Sequence, residues 1–144
     1  MNSTFDIFSN CVKIKADIKG RGLQFRGSGV LYPLGVDKEY DYVFTAQHIF
    51  KDDRKKKLNA VLNQIGSIEI EVFEDGNFVI YKTITKDNIS NSLLPIGEDF
   101  LIIRIDKSKK HFTPFLLADD LIKEKSMQLY GVSGEAQDII TKLD

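Results

Sequence analysis

The chain has 144 residues, of which 42% are hydrophobic and 28% charged, the usual balance of a soluble globular domain. Twenty basic and 21 acidic residues give a formal net charge of −1, so composition gives no reason to expect nucleic acid or an anionic membrane as a partner. A single cysteine, Cys11, excludes an intrachain disulfide, and no stretch approaches the roughly 18 to 20 apolar residues of a membrane helix.

Six strand-like runs follow one another along the chain. Residues 11–18 and 68–72 alternate apolar and polar side chains, which is typical of strands with one buried face. Residues 74–77, Glu-Asp-Gly-Asn, predict a hairpin turn before the next run. The predicted strands are 11–18, 23–32, 41–45, 68–72, 78–81 and 99–105. Such a series predicts an all-β fold, a six-stranded antiparallel β-barrel with short helical turns.

The segments between and after these strands predict little helix. Residues 46–52 suit a single turn, residues 54–64 a helical or irregular loop, and residues 120–124 another short turn. The region 112–125, which contains a proline, is the best candidate for a linker. We therefore expect a barrel over residues 1–112, followed over 113–144 by an interdomain linker and a further strand.

Two residues with catalytic potential lie at strand ends. His48 closes the sequence Thr-Ala-Gln-His after an apolar run, and Asp99 stands at the head of another. A histidine serves as a general base when a carboxylate on its far ring nitrogen fixes one tautomer. The two residues are 51 positions apart (99 − 48 = 51), so a contact between them would be tertiary.

Four segments carry a family resemblance. They are G-S-G-V-L-Y at 27–32, Y-V-F-T-A-Q-H-I at 42–49, D-F-L-I-I-R-I at 99–105 and S-M-Q-L-Y-G at 126–131. In this order they resemble the second strand, the histidine strand, the aspartate strand and the start of the second barrel in the trypsin-like (chymotrypsin-fold) serine peptidases. The resemblance places the family's catalytic histidine on His48 and its catalytic aspartate on Asp99.

The resemblance implies a bacterial-type serine endopeptidase that acts on polypeptides without a cofactor or a metal. His48 would be the general base and then the general acid, and Asp99 would orient it. The nucleophilic serine would lie in the second barrel, most of which is absent, so residues 1–144 alone should be inactive and further domains are expected partners. Gln47 stands where the family has a small residue, and Leu101 where it often has alanine or threonine.

Other candidate residues have simpler interpretations. Ser133 in Gly-Val-Ser-Gly lies only 34 residues after Asp99 (133 − 99 = 34), too few for the family's nucleophile, and fits a strand end or loop. Gly27 and Gly29 fit close packing of a strand better than anion binding, and Cys11 fits a buried small hydrophobe.

The basic runs at 51–57 and 107–111 fit solvated loops, or a docking patch for an acidic substrate or a neighbouring domain. With two histidines and one cysteine, no zinc site is expected.

Two further expectations concern context and alternatives. The N-terminus carries no secretory signal, which predicts a cytoplasmic protein. A strand at 126–132 without its native neighbours would be either a mobile tail or a strand exchanged with, or added to, another copy of the chain, which would make an oligomer. The alternative to an enzyme is a non-catalytic single barrel that binds peptides or proteins. A nucleic-acid-binding barrel is disfavoured by the charge balance and by the lack of clustered aromatic and basic strand residues.

Overall fold

The computed structural model describes residues 10–32, 39–107, 129–132 and 140–143. Strands dominate these ranges, which confirms the all-β prediction. The helical parts are single turns, and within these ranges no helix is long and apolar enough to cross a membrane. The strands are β1 (Cys11–Ile18), β2 (Leu23–Tyr32), β3 (Tyr40–Ala46), β4 (Ile65–Glu74), β5 (Asn77–Thr85), β6 (Leu93–Ile96), β7 (Phe100–Asp106), β8 (Leu129–Val132) and β9 (Ile140–Leu143).

Seven of these strands form one antiparallel sheet with the order β5-β4-β1-β2-β3-β7-β6. The sheet curves into a half-barrel, and the pairings in the described residues do not join its two edge strands. The sequence predicted six strands, and β6 is the additional one. Its four residues include Pro95. Because proline lacks a backbone N–H, it is tolerated in an edge strand, but a proline in a short run argues against predicting a strand from the sequence.

The core of the sheet is built largely from alternate strand residues. In β1, Val12, Ile14 and Ala16 are almost completely buried, and they pair in register with Val72, Ile70 and Ile68 of β4. Burial of each Val, Leu or Ile side chain contributes about 1.5–3 kcal/mol to folding.

The hairpin between β4 and β5 confirms the turn predicted at 74–77. Asp75 and Gly76 have positive φ angles of 50° and 84°, the backbone conformation of the two-residue turn that matches strand twist. On β5, Tyr81 donates a hydrogen bond from its hydroxyl to the buried Asp41 Oδ2 of β3 at 2.9 Å. Lys107 Nζ lies 3.3 Å from the other carboxylate oxygen of Asp41.

The turn predicted at 46–52 is present as the 3₁₀ turn Gln47–Phe50. The loop predicted at 54–64 contains two more 3₁₀ turns, Leu58–Ala60 and Leu62–Gln64. A 3₁₀ turn Lys86–Asn88 and one α-helical turn Ile89–Ser92, neither of which was predicted, lead into β6.

Strands β8 and β9 form a separate two-stranded antiparallel sheet, and β8 lies close to β1 and β2. The strand predicted at 126–132 is thus present over Leu129–Val132, and β9, which was not predicted, is its neighbour. Residues 126–128, the predicted turn at 120–124 and the predicted linker lie outside the described residues. The division into residues 1–112 and 113–144 stays a prediction.

Candidate active site

The structure brings His48 and Asp99 together. The Nδ1 atom of His48 lies 2.8 Å from Oδ2 and 3.1 Å from Oδ1 of Asp99. The contact follows from the pairing of β3 with β7, in which Ala46 stands opposite Phe100. His48, the second residue after β3, therefore meets Asp99, the residue before β7, although the two are 51 positions apart in the sequence.

Backbone hydrogen bonds fix the pair beyond the end of the strand ladder. The Gln47 amide donates to the Asp99 carbonyl at 2.6 Å. The His48 amide donates to Asp99 Oδ1 at 3.0 Å. Asp99 thus holds both the backbone and the ring of His48, and neither residue can rotate away without breaking a second contact.

This geometry selects one histidine tautomer. A carboxylate only accepts hydrogen bonds, so the ring proton of His48 lies on Nδ1, and Nε2 carries the lone pair. Within the described ranges Nε2 makes no hydrogen bond. The His48 side chain is 37% exposed and that of Asp99 54%, so Nε2 is available to a substrate or a nucleophile as a proton acceptor.

The electrostatics of the pair favour an ionised carboxylate. The pKa of Asp99 is lowered from its usual value, chiefly by the hydrogen bond from the His48 ring. The His48 amide and the charges of His48 and Lys51 act in the same direction, while partial desolvation opposes them. Asp99 is thus ready to orient an imidazole and to stabilise an imidazolium.

Gln47 supports the segment that carries Asp99, a role that the sequence did not reveal. Its side chain is only 4% exposed, and Nε2 points at the carbonyl oxygens of Phe100, Gly97 and Ile96 at 2.9, 3.2 and 3.4 Å. Three acceptors identify the amide nitrogen as the atom that faces them. The side chain turns inward, so Gln47 connects the histidine turn to the turn before β7.

Strand β2 holds the histidine turn from the other side. The Thr45 hydroxyl donates to the Ser28 carbonyl at 2.8 Å, and Arg26 Nε donates to the Ile49 carbonyl at 2.6 Å. Arg26 also lies 3.5 Å from Asp52. The positions on both sides of His48 are therefore tied to β2.

Two glycines of β2 permit this close approach. A Cβ atom at Gly27 would lie 2.9 Å from Ile49 Cγ2, and one at Gly29 would lie 2.8 Å from the Phe44 carbonyl oxygen. Both distances are shorter than real Cβ contacts allow. This supports the close-packing interpretation of the two glycines.

The other singled-out residues lie away from the pair or outside the described residues. Leu101 is completely buried in the core, so it does not crowd the surface beside His48. Cys11 is buried, and desolvation raises the pKa of its thiol, as expected for a small hydrophobe. Ser133 and His111 lie outside the described residues.

Within the described ranges, no group of three or more His, Cys, Asp or Glu side chains could hold a metal ion. Comparison of the chain with protein-family models, curated proteins and solved structures found no match.

Proposed function

We propose that this chain supplies the general base and its orienting carboxylate to a trypsin-like serine endopeptidase. The observation that carries the proposal is the 2.8 Å contact between His48 Nδ1 and Asp99 Oδ2, which leaves Nε2 available for proton transfer. The serine nucleophile would come from a second barrel in a longer polypeptide, and backbone amides beside that serine would form the oxyanion hole.

In the proposed reaction, His48 Nε2 takes the hydroxyl proton as the serine oxygen attacks the scissile carbonyl. Asp99 stabilises the resulting imidazolium, which then gives its proton to the leaving amine. The C–N bond then breaks and leaves the acyl group on the serine oxygen as an ester. Water attacks this ester while His48 Nε2 takes its proton, and the proton returns to the serine oxygen as the carboxylic acid leaves. The substrate is a polypeptide, and the chemistry calls for no cofactor, nucleic acid or membrane.

The architecture supports the same proposal. The half-barrel presents the histidine and the aspartate at the ends of neighbouring strands. We infer that it corresponds to the first, six-stranded barrel of the family, with β6 as an addition at its edge. The Tyr81–Asp41 hydrogen bond between β5 and β3 supports this inference, because it connects an edge strand with the far side of the sheet. That the enzyme is bacterial and cytoplasmic stays a prediction from the sequence.

The test is activity-based labelling of the longer polypeptide with a fluorophosphonate probe, combined with casein hydrolysis. We expect one labelled serine, loss of labelling in His48→Ala, and a fall in turnover of about 10⁴-fold in Asp99→Asn. Asp106→Asn, at the exposed opposite end of β7, is the matched control and should retain activity. A folded longer polypeptide with no labelled serine would refute the peptidase proposal.

The chain of residues 1–144 should not react with the same probe, because the nucleophile and the oxyanion hole lie in the second barrel. Mass spectrometry of the treated chain provides the measurement. Covalent labelling of Ser133 would contradict the assignment of the nucleophile to another part of the polypeptide.

A second candidate function is a non-catalytic barrel that binds peptides or proteins. The pairing of β8 with β9 favours it, because the C-terminal strand then has a neighbour within the chain. The proposed self-association through β8 distinguishes the two candidates. In size-exclusion chromatography with light scattering, an oligomer of residues 1–144 that becomes a monomer when the chain ends at Leu117 would favour the peptidase proposal, whereas two monomers would favour the module.

A further inference from the structure

A cavity with basic walls adjoins the His48–Asp99 pair. Its volume is about 410 Å³, and it lies between the loop that follows the histidine turn and the turn that precedes Asp99. Gln47 forms part of its wall, as do Gly97 and Glu98. A molecule in this basic cavity would therefore contact the same two segments that hold the candidate catalytic residues.

The charge of the cavity is strongly one-sided. Five cationic residues line it, together with a single carboxylate, Glu98: the cations are Lys51, Arg54, Lys55, Lys56 and Lys57. The loop's own acidic residues are engaged elsewhere, because Asp52 pairs with Lys19, Arg21 and Arg26. The Asp53 carboxylate accepts the Lys55 amide. A chain with a net charge of −1 thus concentrates positive charge beside its candidate active site.

Lys51 is the buried member of this cluster. It is 8% exposed and lines the cavity; its backbone amide donates to the His48 carbonyl, whereas in the ranges that the structure describes its side chain makes no hydrogen bond or ion pair. The charge of Lys51 helps to lower the pKa of Asp99, but Asp99 already has His48 as its partner. An anion in the cavity would give the Lys51 ammonium group a partner of opposite charge.

We propose that the basic cavity receives an acidic side chain of the polypeptide substrate, so that the enzyme prefers chains with Asp or Glu beside the cleaved bond. This deepens the proposed function and rests on it. The cavity has the size of one or two side chains and, among the described residues, no aromatic ring lines it. Nucleic acid would instead use an extended basic groove with stacking platforms.

The experiment measures peptide binding to residues 1–144, which requires no nucleophile. A fluorescein-labelled pentapeptide, Ala-Glu-Glu-Ala-Ala, is titrated by anisotropy alongside the matched Ala-Gln-Gln-Ala-Ala peptide. We expect the Glu peptide to bind at least about 10-fold more tightly. The difference should shrink as salt rises from about 0.05 M to about 0.5 M. In ¹⁵N NMR spectra, the Glu peptide should shift the amides of Lys51 and His48.

Two variants and one control locate the binding. Lys51→Met removes the buried cation, and Lys55→Gln/Lys56→Gln removes two cations from the loop; each should weaken the Glu peptide about 5-fold or more. Lys82→Gln/Lys86→Gln removes the same charge from outside the cavity and should change binding by less than about 2-fold. The loop variant keeps the test valid if Lys51→Met does not fold.

Any of three results would overturn the inference: equal binding of the two peptides, no binding of either peptide, or equal effects of the loop and control variants on binding of the Glu peptide. Tighter binding of a single-stranded oligothymidylate, sensitive to the same loop variant, would overturn it as well by identifying a nucleic-acid site. Preference for the Glu peptide supports the acidic-side-chain inference even if no serine is labelled in the longer polypeptide. The peptidase proposal alone would then fail.

Discussion

The buried amide of Gln47 offers the sharpest test of how the site is held. Gln47→Met keeps the length and apolar volume of the side chain but removes the two N–H donors. Those donors serve three carbonyl oxygens at 2.9, 3.2 and 3.4 Å, so two hydrogen bonds are lost. At about 1 kcal/mol each, the free energy of unfolding should fall by about 2 kcal/mol. The half-exposed Ile96 and Phe100 let water satisfy part of the lost bonding.

For a chain of this size, about 2 kcal/mol lowers the melting temperature by roughly 6–10 °C, which calorimetry can measure. Hydrogen exchange of the His48 amide should also accelerate, because this amide donates to Asp99, whose segment Gln47 holds. Gln24→Met, at an exposed position of β2, is the matched control. If Gln47→Met is as stable as this control, within about 0.5 kcal/mol, the amide does not support the turn.

Two further predictions concern the carboxylate and the glycines. The pKa of Asp99 is lowered in the folded protein, so its contribution to stability is present above the unfolded-state pKa and is lost as pH falls through the folded one. Because Asp99 is exposed, this contribution to the free energy of unfolding is less than about 1 kcal/mol. Carboxyl ¹³C NMR should show a higher pKa for Asp99 in His48→Gln than in the unmodified chain. An unchanged Asp99 pKa would contradict the pairing. Gly29→Ala forces a Cβ to 2.8 Å from the Phe44 carbonyl and should cost about 1–3 kcal/mol in denaturant titrations. Gly66→Ala, whose Cβ would meet nothing closer than 3.5 Å, should be near neutral, and equal losses would refute the packing argument.

The sequence was sufficient to place His48 beside Asp99, because each stands at the end of an apolar strand and a family resemblance supplied the pairing. Its alternating residues also predicted β1, the β4–β5 hairpin and the turn that carries the histidine. These features depend on local periodicity and on turn residues such as Gly76, which act over a few positions.

The role of Gln47 could not be predicted in this way. A large polar residue before His48 could fill the surface beside it or turn inward, and the choice depends on carbonyls of residues 96–100, about 50 positions away. Strand β6 was not predicted from the sequence for a different reason. A proline in a four-residue run argues against a strand unless the strand lies at the edge of a sheet. Whether a curved sheet closes is likewise decided by long-range packing.

The pairing of β3 with β7 also sets the order in which this chain can acquire its candidate site. The β4–β5 hairpin lies between the two strands in sequence and closes through a two-residue turn, so its contacts are local and inexpensive in chain entropy. Joining His48 to Asp99 requires a loop of 51 residues to close, and such distant contacts form slowly. We therefore expect a nascent or partly unfolded chain to form the hairpin before the histidine–aspartate pair, so that the candidate site is completed late in folding.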